Sequence, residues 1–387
     1  MNYLQPFALF ETKASNVLSP QQEEFLTENS YDTWSINPTT NLVDVDGTFD
    51  CMNQKLSSLL EIEFGEVVDA FYCSGNELTS LAGSPQTLGW KFSCRNNLLT
   101  DLVGAPQKVG GDFNCNYNQL TSLAGAPQKV EGGFYCDFNQ LTSLAEATQM
   151  VGGGFYCQNN QLTSLRGAPK SINGPFTCYE NHLTDLVGAP QEGVEDFICN
   201  VNKLTTLAGA PQTVTGKFEC NFNRLTDLVG APQMVGNFTC NGNDLRSLTG
   251  GPRVVEGFYR VQSHQLTSLA GAPQTVKGQF SCNDIFLREG QWNMQSWLEL
   301  LITGQPDVRK LILTLSIFNA QSWLDRLKGD LKQDGQTLLQ IADLWGREGW
   351  EEEQAKLQQD LDSNQLRAIK ALRTKLIYVD PWQDFVM

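Results

Sequence analysis

One phrase is written over and over between Phe49 and Leu287, and its period constrains the fold more than any other feature of the chain. A clean copy runs Phe113-Asn114-Cys115-Asn116-Tyr117-Asn118-Gln119-Leu120-Thr121-Ser122-Leu123-Ala124-Gly125-Ala126-Pro127, and the next begins at Phe134, 21 residues later. The frame Phe-x-Cys-x-x-Asn-x-Leu-x-x-Leu recurs at Phe71, Phe92, Phe155, Phe176, Phe197, Phe218 and Phe238. With imperfect copies at Phe49, Tyr259 and Phe280 there are a dozen strand positions. Self-similarity at a short fixed period marks a solenoid, in which each repeat is one coil stacked on its neighbours.

Two irregularities leave the register intact. Cys220 and Cys240 are 20 residues apart, so one residue is dropped near Met234-Val235-Gly236. The following coil is framed by Tyr259, Val261, His264, Leu266 and Leu269, which puts Val261 at 21 residues from both Cys240 and Cys282.

The chemistry of one coil follows from its wording. Phe and Cys alternate with a variable residue, the period-2 pattern of a short strand with one face buried. Asn then turns the chain, and its amide can bond the exposed turn backbone of neighbouring coils as a ladder. Two Leu point back inside, and Gly-Ala-Pro carries the chain around the far side. Val109, Val130 and Val151 precede the next strand and close the core. Burying one Phe or Leu contributes roughly 1.5–3 kcal/mol. No single coil can hide that face, so stability has to come from stacking.

These residues resemble the leucine-rich repeat family, whose strand consensus is Leu-x-x-Leu-x-Leu-x-x-Asn-x-Leu. Phe113, Cys115, Asn118, Leu120 and Leu123 fill the matching places, and the resemblance spans more than half the chain. It departs in Phe for the second Leu, Cys for the third, and Gly or Asp where the first Leu stands. The short Gly-Ala-Pro return resembles the extended convex side of short bacterial-type repeats. The wording Leu-Thr-Ser-Leu-x-Gly-Ala-Pro-Gln also resembles repeat proteins of tailed bacteriophages and some bacteria, which implies a viral source. What the resemblance implies is a mainly β, leucine-rich-repeat-like solenoid with a parallel strand face and an extended convex side. Related bacterial effectors carry a ubiquitin-ligase domain with a catalytic Cys, but no Cys follows Cys282, so that activity is not expected.

The flanks differ from the repeats. Residues 1–48 read as an N-terminal cap. Ser19-Pro20-Gln21-Gln22 has the N-cap, first-turn proline and capping-box residue of a helix start, and a hairpin is expected around Asn37-Pro38-Thr39-Thr40-Asn41. The solenoid covers 49–288. Over 289–387 Trp, Leu, Lys, Glu and Gln replace Gly, Pro and Asn, and the hydrophobic period becomes helical. A C-terminal helical domain that covers the end of the stack is expected there.

Charge and residue usage exclude several classes. A net charge of −16 repels phosphate backbones and anionic lipid, so no nucleic-acid or membrane partner is expected. No apolar run reaches the ~18 residues that span a bilayer. The N-terminus has no leading Lys or Arg and makes a poor Sec signal. All 11 cysteines share one repeat position, from Cys51 to Cys282. They lack the close pairs and neighbouring His of a metal site, and in-register stacking gives poor disulfide dihedrals. They read as small apolar fillers, which favours a reducing compartment: the cytoplasm of the host cell, or a virion assembled there. His182 reads as a solvated turn residue, and neither it nor His264 joins a visible catalytic constellation. No cofactor, metal or catalytic residue is expected.

What remains is surface. Between Phe and Cys, and just after Cys, residues vary while the frame does not, as on a recognition face. Those places hold Tyr72, Tyr117, Tyr135, Phe138, Tyr156, Tyr179 and Phe222, with charges at Arg95, Asp137, Glu180 and Glu219. Aromatics on rigid strands are typical contact anchors, although Tyr also favours strands for its own packing. The expectation is a non-catalytic protein-binding scaffold, phage-encoded, engaging a viral or host protein with its strand face and using the helical end for further contacts. An enzyme active through the helical domain and a carbohydrate-binding module are the rival classes.

Overall fold

Phe, Cys and both Leu of almost every coil have no solvent-exposed surface, so the repeat frame is also the core. The computed structural model describes residues 18–282 except 264, 267–270 and 274, together with the backbone of Ile285–Leu287. By their contacts the residues divide into two compact units, Met1–Gln140 with Glu146–Met150, and Leu141–Ala145 with Val151–Met387. Each described unit is a mainly β, parallel solenoid. The helices expected over 289–387 lie outside the described residues.

In the first unit the strands Phe49–Asp50, Phe71–Tyr72, Phe92–Ser93, Phe113–Asn114 and Phe134–Tyr135 pair in parallel, Phe on Phe throughout. Identical register stacks the rings, with centroids 5.1, 5.7, 5.3 and 5.3 Å apart along the series. Offset stacking at such distances adds about 0.5–1.5 kcal/mol per pair to the burial term. A second parallel column, Phe64–Val67, Thr87–Leu88, Lys108–Val109 and Lys129–Val130, runs beside the first. Its inward residues include Val109 and Val130, which close the core as their place in the repeat requires. The column itself was not an expectation, because a two-residue strand leaves no periodicity to read.

The start of this unit is covered by a helix and a hairpin. Ser19 Oγ accepts from the Gln22 N–H at 3.3 Å, and Gln22 Oε1 accepts from the Ser19 N–H at 2.8 Å, opening the helix Pro20–Asn29. The helix sets Phe25 edge-on against Phe49, 5.7 Å between centroids, and so covers the first ring of the stack. Trp34–Ile36 pairs antiparallel with Val43–Val45, which in turn pairs with Phe64–Val67.

The second unit has the same columns with a different corner. Phe155–Tyr156 is a short strand, but Ser171–Thr177, Glu192–Ile198, Thr213–Glu219 and Met234–Thr239 each run unbroken through both columns. Gly110-Gly111 and Gly132-Gly133 interrupt two of the first unit's coils, whereas the strand continues through Asn173-Gly174-Pro175 and Thr215-Gly216-Lys217. The residue dropped before Phe238 is located by pairing. Val214 faces Val235 and Lys217 faces Asn237, so Gly236 alone spans two residues of its neighbour. Tyr259–Val261 and Phe280–Cys282 continue the sheet, and Ile285–Leu287 pairs antiparallel with the latter.

A candidate binding surface on the turn after each cysteine

The turn after each strand is built by the ladder asparagine. Asn118 Nδ2 donates to the carbonyls of Cys115 and Cys94, both at 3.1 Å, and its Oδ1 accepts from the Leu99 N–H at 3.1 Å. Asn97 and, in the second unit, Asn181, Asn202 and Asn223 repeat the same three bonds. Each amide therefore bonds buried backbone groups of two coils, and the Leu N–H that depends on it alone would cost about 1–3 kcal/mol if left unsatisfied.

Closing that ladder forces the preceding residue into the left-handed region. Asn53, Gly75, Asn96, Tyr117 and Phe138 in the first unit have φ of 58, 70, 55, 53 and 52°. Asn159, Glu180, Val201, Phe222 and Gly242 in the second have 53, 51, 53, 54 and 64°. Gly and Asn enter this region readily. For other L-residues it costs roughly 1–2 kcal/mol, and a β-branched Val is an outlier there. Despite that cost the position holds Tyr117, Phe138, Val201 and Phe222, all exposed.

In the first unit these side chains form a strip. The Tyr117 and Phe138 rings stack at 4.4 Å and 8°. The Arg95 guanidinium lies 5.1 Å from the Tyr117 centroid, a cation–π contact. Beside it lies an open depression of about 330 Å³ lined by Asn53, Ser74, Gly75, Arg95, Asn96 and Tyr117. In the second unit the Phe222 ring lies against Gly242 of the next coil, where a Cβ would come within 2.7 Å of it, and 64% of Phe222 remains exposed.

The residues singled out from sequence fall into distinct registers. Tyr117 and Phe138 meet on the first unit's turns, and Phe222 occupies the same register in the second. Tyr72, Tyr135 and Tyr156 sit one residue after Phe on the strands and are half-buried. Any Cβ on Gly133 would come within 2.9 Å of the Tyr135 ring, and one on Gly154 within 2.8 Å of the Tyr156 hydroxyl, so these rings fold back on their own coil's glycine. Tyr179 follows Cys178 and is half-buried too. Asp137, grouped with the outward charges, is a correction: it is 5% exposed. Burial raises its carboxyl above the usual range, against the opposing pull of its own backbone N–H, the Asn116 amide at 3.3 Å and Arg95. Missed altogether was the left-handed turn as a class. Its signal was available in Gly75 and Gly242 sharing a register with Asn53, Asn96 and Asn159.

The cysteines have no site chemistry of their own. All 11 are free and buried. Burial pushes the Cys51 thiol up to about 12 and holds those of Cys73, Cys115 and Cys178 far above their ordinary value. A neutral thiol is neither a good nucleophile nor a metal ligand. Several donate instead to the carbonyl of the next coil, as Cys115 does to Tyr135 at 3.2 Å. No group of three His, Cys, Asp or Glu among the described residues could hold a metal ion. Nor is any described helix long and apolar enough to cross a membrane. His182 is exposed on its turn, and His264 lies outside the described residues.

No family model and no curated protein matches the chain. Among solved structures it is similar to YopM from Yersinia enterocolitica WA-314, at 16% identity and a TM-score of 0.31 over 61% of this chain and 73% of that one. So distant a likeness decides nothing about partner or activity.

Proposed function

We propose that the chain is a non-catalytic protein-binding scaffold that engages its partner with the side chains on the turns after Cys. The observation that carries this is the placement of Tyr117, Phe138, Val201 and Phe222 at φ between 52 and 54°, where Gly or Asn would be cheaper. Large side chains kept exposed at an energetic cost to the fold support a role in recognition, where rigid aromatics are common anchors. The half-buried Tyr72, Tyr135, Tyr156 and Tyr179 flank these turns as the remainder of the contact surface.

The partner is a viral or host protein and the chain is phage-encoded, a reading supported by the wording of the repeats. Segment 289–387 supplies further contacts. The test replaces Tyr117, Phe138 and Phe222 with Gly, which fits the left-handed backbone, and measures capture of proteins from the native setting by quantitative mass spectrometry. Partners should be lost from the variants while the fold survives. Equal capture by the parent and the variants contradicts the proposal. Deleting 289–387 should remove a subset of partners. Mass spectrometry of purified particles separates a virion component, which is found there, from a host-binding factor, which is not.

A further inference from the structure

The strip on the first unit has a chemical polarity that narrows what it can bind. We infer that Arg95, Tyr117 and Phe138 form a docking site for a protein segment presenting a carboxylate beside an aromatic or large aliphatic side chain. The inference rests on the binding role proposed above and names the chemistry of the partner.

Arg95 is exposed, and its guanidinium makes no hydrogen bond or ion pair with any described residue. It is held over Tyr117 by one face, which leaves the edge of its planar N–H fork open. That fork matches a carboxylate bidentately, the strongest pairing available to it. An uncompensated cation is notable in a chain of net charge −16. Asp137, whose carboxyl feels the Arg95 charge, is buried and bonded by Asn116 and makes no ion pair with Arg95.

The surroundings suit an anion on one side and an apolar group on the other. The depression beside Arg95 is lined by Asn53, Ser74, Gly75 and Asn96, none of them acidic, so a carboxylate entering it meets no like charge in the lining. Across Tyr117 the stacked Phe138 offers a flat apolar surface. Arg95 lies 5.1 Å from the Tyr117 centroid and the Phe138 ring 4.4 Å from it, so all three fall within about 10 Å, the reach of three residues of extended chain. The acidic and apolar side chains of the partner segment should therefore stand one or two positions apart.

The test is a peptide-display selection from a random linear library against the full chain, followed by synthesis of the enriched peptides. Enriched sequences should place Asp or Glu one or two positions from Phe, Trp, Tyr or Leu. Their affinity should fall at least tenfold for Arg95→Gln and for Tyr117→Gly, weaken with added salt, and stay unchanged for Arg253→Gln, which removes an exposed cation of the second unit. Thermal melts of the Tyr117→Gly variant at or above the parent show that binding was lost without unfolding. Peptides that bind equally well to Arg95→Gln, a preference for basic peptides, binding of arrayed glycans instead, or a selection that enriches nothing would each overturn the inference. Peptides that ignore Arg95 but lose binding in Phe222→Gly would overturn it while leaving the scaffold proposal standing. Loss of both peptide selection and protein capture would remove the two together.

Discussion

From Asn53 to Gly250 each coil turns twice through left-handed backbone, and the two corners obey different rules. At the far corner, Gly83 of Gly-Ser-Pro and Gly104 and Gly125 of Gly-Ala-Pro have φ of 88, 93 and 83°, and Gly188 and Gly209 in the second unit have 100 and 93°. A Cβ on Gly104 would sit 2.7 Å from the Leu81 carbonyl carbon, and one on Gly209 2.5 Å from that of Leu186. Glycine is dictated there twice, by dihedral and by the backbone of the preceding coil. The near corner, after Cys, has φ close to 55°, which an L-residue can occupy at a cost. Its backbone is fixed by the ladder asparagine, while its side chain lies outside the core and meets the same position on neighbouring coils, as Tyr117 meets Phe138 and Phe222 meets Gly242. The far corner thus reports on folding, and the near corner reports on what the surface is for.

Glu61 and Glu146 show where the rule for the far corner bends. Both hold the glycine place, with φ of 60 and 65°, inside the region that side chains tolerate. Thr148 then replaces the proline of that return and donates its hydroxyl to the Pro127 carbonyl at 2.8 Å.

The largest expected effect erases both corners by breaking the core between them. Unfolded thiols lose their protons above about pH 9, whereas burial keeps those of Cys73, Cys115, Cys178, Cys199 and Cys220 protonated. Above that pH the unfolded state binds fewer protons than the folded one, so stability falls as pH rises, by about 1.4 kcal/mol per pH unit for each such thiol. Denaturation midpoints should be flat from pH 7 to 8.5 and drop steeply beyond 9. Next in size, Gly209→Ala should cost about 2–4 kcal/mol in chemical denaturation, since it adds strain and a backbone clash. Asn118→Ala should cost about 1–3 kcal/mol, because the buried Leu99 N–H loses its partner while the Cys94 and Cys115 carbonyls keep the amides of Asn97 and Asn139. That variant sharpens the contrast, as it releases the near corner without touching the side chain displayed on it.

Much of this was legible in the sequence where a residue type repeats at one register. The Phe, Cys, Leu and Asn columns follow from counting, as does a residue dropped near Met234-Val235-Gly236. The compensated irregularity two coils earlier did not. Ser171 faces Glu192 and Gly174 faces Val194, a residue lost, and Phe176 faces Phe197, the residue regained. Because the total length stays at 21, counting cannot see it, yet it shapes an open depression of about 430 Å³ that includes Asn173, Gly193, Glu195 and Thr215. The candidate surface was half legible. Aromatics were visible at variable places, but alternation alone could not separate strand residues such as Tyr135 from turn residues such as Tyr117, nor place Asp137 inside. That distinction depends on φ, which the side-chain pattern records only through the scattered Gly and Asn of the same register.

The most direct test is a paired measurement on one protein, Tyr117→Gly combined with Phe138→Gly. Stability and affinity for a selected acidic–aromatic peptide are read from the same preparation. Relief of two strained dihedrals should leave the denaturation midpoint equal or raise it, by up to about 1 kcal/mol per site, while affinity falls at least tenfold. A variant that is clearly less stable yet binds as well as the parent would show that the rings serve the fold, and would contradict the account.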